Sequence, residues 1–428
     1  MSILLKNVHL LDRPEDERSD VKVDGGRIAA ICAAGEGAAD GWEADEVLDC
    51  SSKTLLPGLI NCHTHAYMSL MRNYADDVPF ETWLFDRITP IEDSLTADDA
   101  YWGNLLSIME MIRTGTTTFV DMQMFPRMAV QACADSGMRA LISRGLVGQS
   151  RSDEAAKRRL DEAFDEMEYG KTIGALCDFA LGPHAIYTCG EDLLSYVADL
   201  AAEKGMRVNI HLAETEHEFR SCIAEHGLTP TAYLEKLGLL DREILLAHCV
   251  YLADEDYALL ARPNVHVVTN PASNLKLANG FAPVHRMLKE GLQVAIGTDS
   301  AASNNALNLF TEMRLLTMGQ KGVTKDALAL TAEETLEIAT ANGARAIGRD
   351  DLGRVEEGRT ADLVLIDENA PTMRPLYNRK AALAYSASGY EVSDVLIEGE
   401  FVYRDGEYTT IDAERVLFET EKIAERYR

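Results

Sequence analysis

Short apolar runs separated by polar turns fill roughly the first 56 residues and predict β-strands joined by tight turns. The runs lie at residues 3–5, 8–11, 21–23 and 28–31, and residues 24–26 form an Asp-Gly-Gly turn. A second set of strand-like runs lies near the end of the chain, at residues 361–367 and 395–403. We expect the two ends of the chain to pair into one small β domain.

Between these ends, short apolar runs alternate with helical segments, which is the pattern of a parallel sheet covered by helices. The runs lie at residues 55–60, 117–120, 140–143, 179–182, 208–211, 244–247, 265–269 and 294–297. Eight alternating units predict an α/β protein built on a (β/α)8 TIM barrel. We therefore expect a catalytic barrel at residues 57–352 and a small β-sandwich domain formed by residues 1–56 and 353–428.

Local signals add detail to this scaffold. Thr96 precedes a helical segment with acidic residues in its first turn and is a candidate N-cap. Helical character is also found at residues 158–164 and 331–336. Residues 76–90 form the longest candidate for a loop over the mouth of the barrel.

Two histidines lie one residue apart where the first barrel strand ends. Side chains alternate between the two faces of a strand, so His63 and His65 point the same way and can bind one metal ion. The carboxyl end of a barrel strand is also where active sites lie. Taken alone, the pair could equally be two packed and hydrogen-bonded histidines.

Four more predicted strands end in polar residues that can do chemistry, and these are His184, His211 with Glu214, His248, and Asp299. Such a set favours a metal site over coincidental packing. His63, His65, His211 and Asp299 supply three nitrogens and one carboxylate and leave room for water. Glu214 lies three residues beyond His211, so we expect it in the loop, where it can move protons without binding metal.

A divalent ion would lower the pKa of its water towards about 7, and Asp299 and His248 could orient that water. Residues 179–184 contain no lysine, so a second metal bridged by a modified lysine has no anchor there, and we predict one metal. The other histidines are interpreted as surface or packing residues without a convergent partner: His9, His217, His226, His266 and His285.

Composition narrows the possible partners and the compartment. The formal net charge of -29 opposes phosphate backbones and anionic membranes, so nucleic acid and membrane are not expected partners. The eight cysteines contain no Cys-x-x-Cys pair, the first residues do not show the basic, apolar and small-residue pattern of a secretory leader, and no apolar run reaches about 18 residues. We expect a soluble cytoplasmic protein.

The chain resembles the amidohydrolase superfamily, and within it the branch of 5′-methylthioadenosine/S-adenosylhomocysteine deaminases. The resemblance is carried by residues 57–67, 81–85, 90–92, 182–184, 211–215, 247–250, 270–277, 297–299 and 301–305. It implies that one zinc ion, with Fe²⁺ as the alternative, is held by His63, His65, His211 and Asp299. It also implies that Glu214 shuttles the proton and that His248 orients the attacking water.

The resemblance further implies a substrate site for a purine nucleoside. His184 would bind the purine, Glu92 the ribose hydroxyls, and Trp83 would also contact substrate. Arg144 would bind the carboxylate of S-adenosylhomocysteine together with Arg159, although Arg158 is the alternative for the second arginine. The family is often oligomeric, which favours a homo-oligomer.

Two other functions stay open at this point. One is a hydrolase of the same architecture that acts on guanine, a pterin or an s-triazine, because only residues away from the metal separate these substrates. The other is a non-catalytic binding or assembly protein on the same barrel.

Overall fold

A computed structural model describes residues 2–37 and 41–428. The strands are β1 (Ile3–Leu10), β2 (Ser19–Asp24), β3 (Arg27–Ala33), β4 (Glu46–Asp49), β5 (Lys53–Pro57), β6 (Leu59–Thr64), β7 (Thr116–Gln123), β8 (Arg139–Leu146), β9 (Cys177–Pro183), β10 (Arg207–Leu212), β11 (Ile244–His248), β12 (Val265–Thr269), β13 (Gln293–Ile296), β14 (Leu363–Asp367), β15 (Val392–Ile397), β16 (Glu400–Arg404) and β17 (Glu407–Tyr408).

The helices surround these strands. They are α1 (Thr89–Glu92), α2 (Ala97–Arg113), α3 (Pro126–Ser136), α4 (Glu154–Ile173), α5 (Glu191–Lys204), α6 (Glu216–His226), α7 (Pro230–Lys236), α8 (Asp256–Leu260), α9 (Pro271–Lys276), α10 (Val284–Lys289), α11 (Leu309–Thr324), α12 (Ala332–Ala339), α13 (Ala341–Ile347), α14 (Arg379–Ala381) and α15 (Ala413–Ala424). Within the described ranges, no helix is both long and apolar enough to cross a lipid bilayer.

Eight parallel strands, β6 to β13, form one sheet in sequence order, as the alternating pattern predicts. The sheet closes on itself where the N–H of Asp299 donates to the carbonyl of His63 at 2.9 Å. A second link is the N–H of Thr298, which donates to Oδ1 of Asn61 at 3.0 Å. The (β/α)8 barrel is confirmed, and its closure places the last strand's loop beside the first histidine pair.

The first barrel strand begins later than predicted. Residues 55–57 belong to β5, which pairs antiparallel with β14, and the barrel strand β6 starts at Leu59. Gly58 separates the two because a Cβ there would lie 1.9 Å from the hydroxyl of Thr117. The prediction of one strand at residues 55–60 was therefore wrong, because a continuous apolar run can be divided between two sheets.

The small β domain joins the two ends of the chain, as predicted. Strand β1 takes part in two sheets: Ile3 to Lys6 pair with β4, and His9 and Leu10 pair with β5. The register shifts between these halves, where Asn7 has a φ of 58°. The two sheets enclose a separate apolar cluster that includes Ile3, Val21, Leu55 and Leu365.

The segment over the barrel mouth differs from the predicted loop at residues 76–90. A π-helical segment covers Thr82–Ile88 and continues directly into α1, so only its first part is a loop. Trp83 and Ile88 are buried in a cluster with Tyr67 and Met68. Apolar packing on the barrel mouth thus stabilises helical structure that the local sequence signals did not predict.

The expected N-cap at Thr96 is present. Its hydroxyl accepts from the N–H of Asp99, and the carboxylate of Asp99 accepts from the N–H of Thr96, which is a complete capping box. Thr331 and Glu334 form the same arrangement at the start of α12.

Candidate active site

His63 and His65 lie at the carboxyl end of β6, where a buried carboxylate shapes the turn. Oδ1 of Asp121, on β7, accepts from the N–H of Ala66 at 2.9 Å and from the hydroxyl of Thr64 at 3.0 Å. The turn directs His65 into the barrel mouth beside His63, and the two ring centroids are 5.1 Å apart.

The hydrogen bonds of His65 and His211 define their tautomers. Nδ1 of His65 lies 2.9 Å from the carbonyl oxygen of Met122, and Nδ1 of His211 lies 2.7 Å from that of His184. A carbonyl oxygen only accepts, so both Nδ1 atoms donate and both Nε2 atoms of the neutral rings carry lone pairs. These two Nε2 atoms are 3.2 Å apart.

Two lone pairs facing each other at this distance repel unless a cation lies between them. His63 also supports a bound cation, because both of its ring nitrogens are buried without a hydrogen-bond partner. Burial and the neighbouring imidazoles also hold the pKa of His211 well below its usual value, so its ring stays neutral and can bind a metal. The donor set therefore fits a divalent cation.

Asp299 supplies the carboxylate. Its Oδ2 accepts from the hydroxyls of Ser273 at 2.7 Å and Ser303 at 2.8 Å, while Oδ1 lies 3.6 Å from Nε2 of both His63 and His65. Burial raises the pKa of this carboxyl, but the positive charge that the facing histidines carry when protonated, together with the hydrogen bond from Ser273, outweighs burial and lowers the pKa to about 2.

The ligand atoms form two overlapping groups. Those of His63, His65 and Asp299 all lie within 4.8 Å of one another, and so do those of His63, His211 and His248. His63 is common to both groups and lies at the centre of the cluster. The structure thus brings the four predicted metal ligands together and adds His248 at their edge.

His248 ends β11 with a φ of 77°. Its Nδ1 lies 2.8 Å from Oδ1 of Asn274 and 3.3 Å from Nδ2 of Asn270, and the shorter contact favours Nδ1 as the donor, with Asn274 accepting its proton. Nε2 therefore keeps its lone pair and lies 3.9 Å from Oε2 of Glu214. The geometry gives His248 a free acceptor facing the same volume as the Glu214 carboxyl.

Glu214 lies between β10 and α6, in the loop where it was expected. Its Oε1 accepts from the side-chain amide of Asn279 at 3.0 Å. Burial and the negative charge of Asp299 raise the pKa of the Glu214 carboxyl to about 8. Such a carboxyl can both carry and release a proton near neutral pH.

A cavity of about 460 Å³ opens above this cluster. Its lining includes most of the predicted site residues: His65, Trp83, Glu92, Arg159, His184, His211, Glu214, His248 and Asp299. His63 is completely buried beneath them.

Several predicted substrate contacts have partners within the protein. Nδ1 of His184 lies 2.9 Å from the hydroxyl of Thr188, and burial lowers the pKa of His184 to about 4. Glu92 accepts from the hydroxyl of Tyr67, and Trp83 donates to the carbonyl of Ala302 at 3.3 Å.

The three candidate arginines have different surroundings. Arg159 lines the cavity and donates to the carbonyl of Val147 at 3.2 Å, while its Nε is buried without a partner. Arg144 lies behind the described cavity lining, where Nε donates to Glu162 at 2.9 Å. Arg158 is mostly exposed, at 3.8 Å from the same carboxylate.

The histidines interpreted as packing or surface residues lie away from the cluster, but His9 has convergent partners. It is buried on β1, with Nδ1 2.8 Å from Glu368 and with Arg379 in contact with its ring. The expectation of no partner was wrong there, because Glu368 and Arg379 are more than 350 residues away in the chain. His217 lines a second cavity of about 510 Å³ next to the first.

Sequence reasoning missed the residues that orient the cluster. These are Ser273, Asn274, Asn279 and Ser303. Ser273 and Asn274 lie in α9, Asn279 in the loop after α9, and Ser303 in the loop after β13. All four lie within or just beyond residues 270–277 and 301–305, whose motifs were noted without a role. Polar side chains concentrated after strand ends were the available signal.

A closed (β/α)8 barrel whose strand ends gather histidines and a carboxylate is the architecture of a metal-dependent hydrolase. The chain belongs to the amidohydrolase family, whose sequence pattern matches residues 54–402.

Similar proteins cover almost the whole chain. It is 42% identical to 5-methylthioadenosine/S-adenosylhomocysteine deaminase of Caldanaerobacter subterraneus subsp. tengcongensis, over 99% of this chain and 98% of the relative. A crystal structure of a zinc-bound adenosine deaminase from Xanthomonas campestris is 32% identical, with a TM-score of 0.93 and coverage of 99% and 98%. Atrazine chlorohydrolase from Arthrobacter aurescens TC1, complexed with zinc, shares the fold at 23% identity, with a TM-score of 0.88 and coverage of 99% and 100%.

Proposed function

We propose that this protein is a metal-dependent deaminase of adenosine-type nucleosides. Its substrates would be S-adenosylhomocysteine, 5′-methylthioadenosine and related 5′-modified adenosines, and its products the inosine analogue and ammonia. The observation that carries the proposal is the Glu214 carboxyl, which lies beside the histidine cluster at the base of a cavity. The full-length relative named as such a deaminase supports the substrate class.

His63, His65, His211 and Asp299 would hold one zinc ion, with Fe²⁺ as the alternative. When bound, the ion supplies Lewis-acid activation of water at neutral pH. The two serine hydroxyls on Oδ2 of Asp299 direct its other oxygen towards the histidines. The carbonyls on His65 and His211 fix the tautomers that point Nε2 inward.

Glu214 and His248 would handle the protons of the reaction. Nε2 of His248 is the free acceptor that can orient the attacking water, because Asn274 holds the proton on Nδ1. Glu214 takes a proton from that water and gives it to N1 of the purine as C6 is attacked. The proton of the new C6 hydroxyl then moves to the amino nitrogen, with Glu214 as its carrier, and the C6–N bond breaks to release ammonia and leave the C6 carbonyl.

The cavity walls would bind the rest of the nucleoside. His184 lies at the base, where its neutral imidazole can bond to the purine. Glu92 can accept from the two ribose hydroxyls, since a carboxylate suits a vicinal diol. Trp83 contributes an apolar wall, and Arg159 can bind a carboxylate at the end of the 5′ substituent.

Ammonia release tests the function directly. We expect zinc-loaded protein to give its highest kcat/KM with S-adenosylhomocysteine or methylthioadenosine, compared with 5′-deoxyadenosine, adenosine and guanine at equal low concentration. The alternative function is that of an amidohydrolase acting on another heterocycle, such as guanine, a pterin or an s-triazine. Guanine is included among the substrates to test this alternative. Release from guanine alone, or from none of the adenosines, would contradict the proposal.

The arginine assignment has its own test. Arg159→Met is expected to lower kcat/KM for S-adenosylhomocysteine by about 10–100-fold, because a charged hydrogen bond is worth about 1.5–3 kcal/mol. The value for methylthioadenosine, which has no carboxylate, should hardly change. Arg158→Met is the matched control, one residue away and mostly exposed. If Arg159→Met lowered kcat/KM equally for both substrates, or if only Arg158→Met lowered kcat/KM for S-adenosylhomocysteine, Arg159 would not be the residue that binds the carboxylate.

A further inference from the structure

Glu218 is a buried carboxylate on the helix that follows Glu214. It is the third residue of α6, and only 4% of its surface is exposed. Its two oxygens accept from consecutive backbone groups: Oε1 from the N–H of Ala213 at 2.9 Å, and Oε2 from the N–H of Glu214 at 2.8 Å. The side chain of Glu218 therefore holds the backbone of the residue that we assign as proton shuttle.

This arrangement differs from the capping boxes of α2 and α12. In α2 and α12 the third residue bonds back to the N–H of the N-cap residue. In α6 the N-cap is Thr215, whose hydroxyl accepts from the N–H of Glu218 at 3.0 Å. The carboxylate of Glu218 instead reaches past Thr215 to the two residues before it. The helix start has its threonine cap, so the Glu218 carboxylate serves the preceding loop.

The loop that Glu218 holds has an unusual backbone. Ala213 has a φ of 50°, a left-handed conformation that is costly for a residue with a Cβ. The carbonyl of Ala213 accepts from the N–H groups of Val250 and Tyr251 at 3.0 and 3.1 Å. Glu218 holds the N–H side of the same residue, so the conformation is fixed from both sides.

The side chain of Glu214 is held separately at its other end by Asn279. Rotation of the Ala213–Glu214 backbone would pull the carboxyl away from Nε2 of His248, which is 3.9 Å from Oε2. A buried carboxylate is costly to desolvate, and the two N–H bonds offset only part of that cost, since burial still raises the pKa of the Glu218 carboxyl to about 7. A neutral apolar residue could fill the volume but could not hold the two N–H groups.

We propose that Glu218 is a positioning residue for Glu214. It fixes the strained Ala213–Glu214 backbone so that the Glu214 carboxyl faces His248 and the predicted metal ligands. This inference rests on the proposed deaminase function for its kinetic consequence. Its structural part, that Glu218 holds the loop, stands on the hydrogen bonds alone.

The test compares Glu218→Ala and Glu218→Gln with the wild type, using Glu216→Gln as the control on the exposed side of the same helix. We expect Glu218→Ala to lower kcat by about 10–100-fold, because small misplacements of a catalytic group carry losses of this size. KM should change by less than about threefold, since Glu214 acts mainly in the transition state. The loss of kcat should be smaller in Glu218→Gln, because the glutamine amide oxygen can still accept a hydrogen bond from one of the two N–H groups. Zinc content and far-UV circular dichroism should match the wild type.

Hydrogen exchange gives a readout that needs no substrate. In zinc-loaded Glu218→Ala and Glu218→Gln, the amides of Ala213 and Glu214 should exchange faster than in wild type, while those of β6 and β11 should not. Unchanged exchange, or faster exchange with unchanged kcat, would overturn the proposal. A loss of kcat accompanied by loss of zinc or by faster exchange throughout the barrel would also overturn it, by indicating a general structural role.

The result of the Glu218 test can be told apart from the result of the test of the deaminase function. If wild-type protein releases no ammonia from any adenosine, the deaminase proposal fails. The exchange comparison still decides whether Glu218 holds the loop.

Discussion

Replacing Glu214 by glutamine is expected to lower kcat by about 10²–10⁴-fold while the protein keeps its metal, because general acid–base catalysis contributes a factor of this size. Glutamine has nearly the same shape, and its amide oxygen can still accept from Asn279. It cannot carry a proton from water to the purine ring. The measurement is ammonia release with saturating substrate, together with zinc content per chain.

The control for Glu214→Gln is Glu203→Gln, a charge-neutralising change at an exposed position of α5. It should leave both activity and zinc unchanged. Near-normal turnover in Glu214→Gln would end the proton-shuttle assignment. A parallel loss of zinc would instead make Glu214 part of the metal site.

His63→Asn is expected to abolish high-affinity zinc binding and activity together. His63 lies at the centre of the cluster, common to both groups of ligand atoms, and its two ring nitrogens have no partner within the protein. Loss of an outer residue that only orients a ligand typically costs about 10–100-fold in metal affinity, so loss of this ligand should cost more than about 100-fold. Competition with a zinc chelator measures the affinity, and far-UV circular dichroism checks the fold.

His266→Asn is the matched control for His63→Asn. His266 is also a buried strand histidine, but it lies near the start of β12, and its charged neighbours are Arg207 and Arg345. We expect His266→Asn to keep its zinc. Equal zinc affinity in both variants would contradict a metal site at His63, and equal loss in both would indicate that zinc release follows from general destabilisation.

The sequence predicted more of the active site than of the fold's details, because the two depend on different kinds of signal. His63, His65, His211, His248 and Asp299 each follow a strongly apolar run, and the ends of parallel strands converge in a barrel. The positions of the predicted strands therefore indicated which residues lie close together, even when they are more than 200 positions apart in the chain. No such rule applies to Asn279 or Ser303, which lie in loops whose paths are not periodic.

The first barrel strand illustrates a limit of local pattern. The run at residues 55–60 contains Pro57 and Gly58, which disfavour regular strand pairing, but this local signal does not show that the two sides of the run join different sheets. The division at Gly58 is imposed by Thr117, which approaches too closely for a side chain. Similarly, the segment Thr82–Ile88 becomes helical because Trp83 and Ile88 pack on Tyr67 and Met68 over the mouth.

The sequence by itself determined the alternation of strands and helices, the pairing of the two ends, and the residue types that can bind a metal and move a proton. These follow from periodicity and side-chain chemistry, which are properties of neighbouring residues. Only the tertiary structure decided the tautomers of His65 and His211, the acceptor left free on His248, the different surroundings of Arg159 and Arg144, and the hydrogen bonds from the backbone of Ala213 and Glu214 to Glu218. Each of these depends on a hydrogen bond or a burial that distant segments create, and such contacts exist only once the barrel has closed.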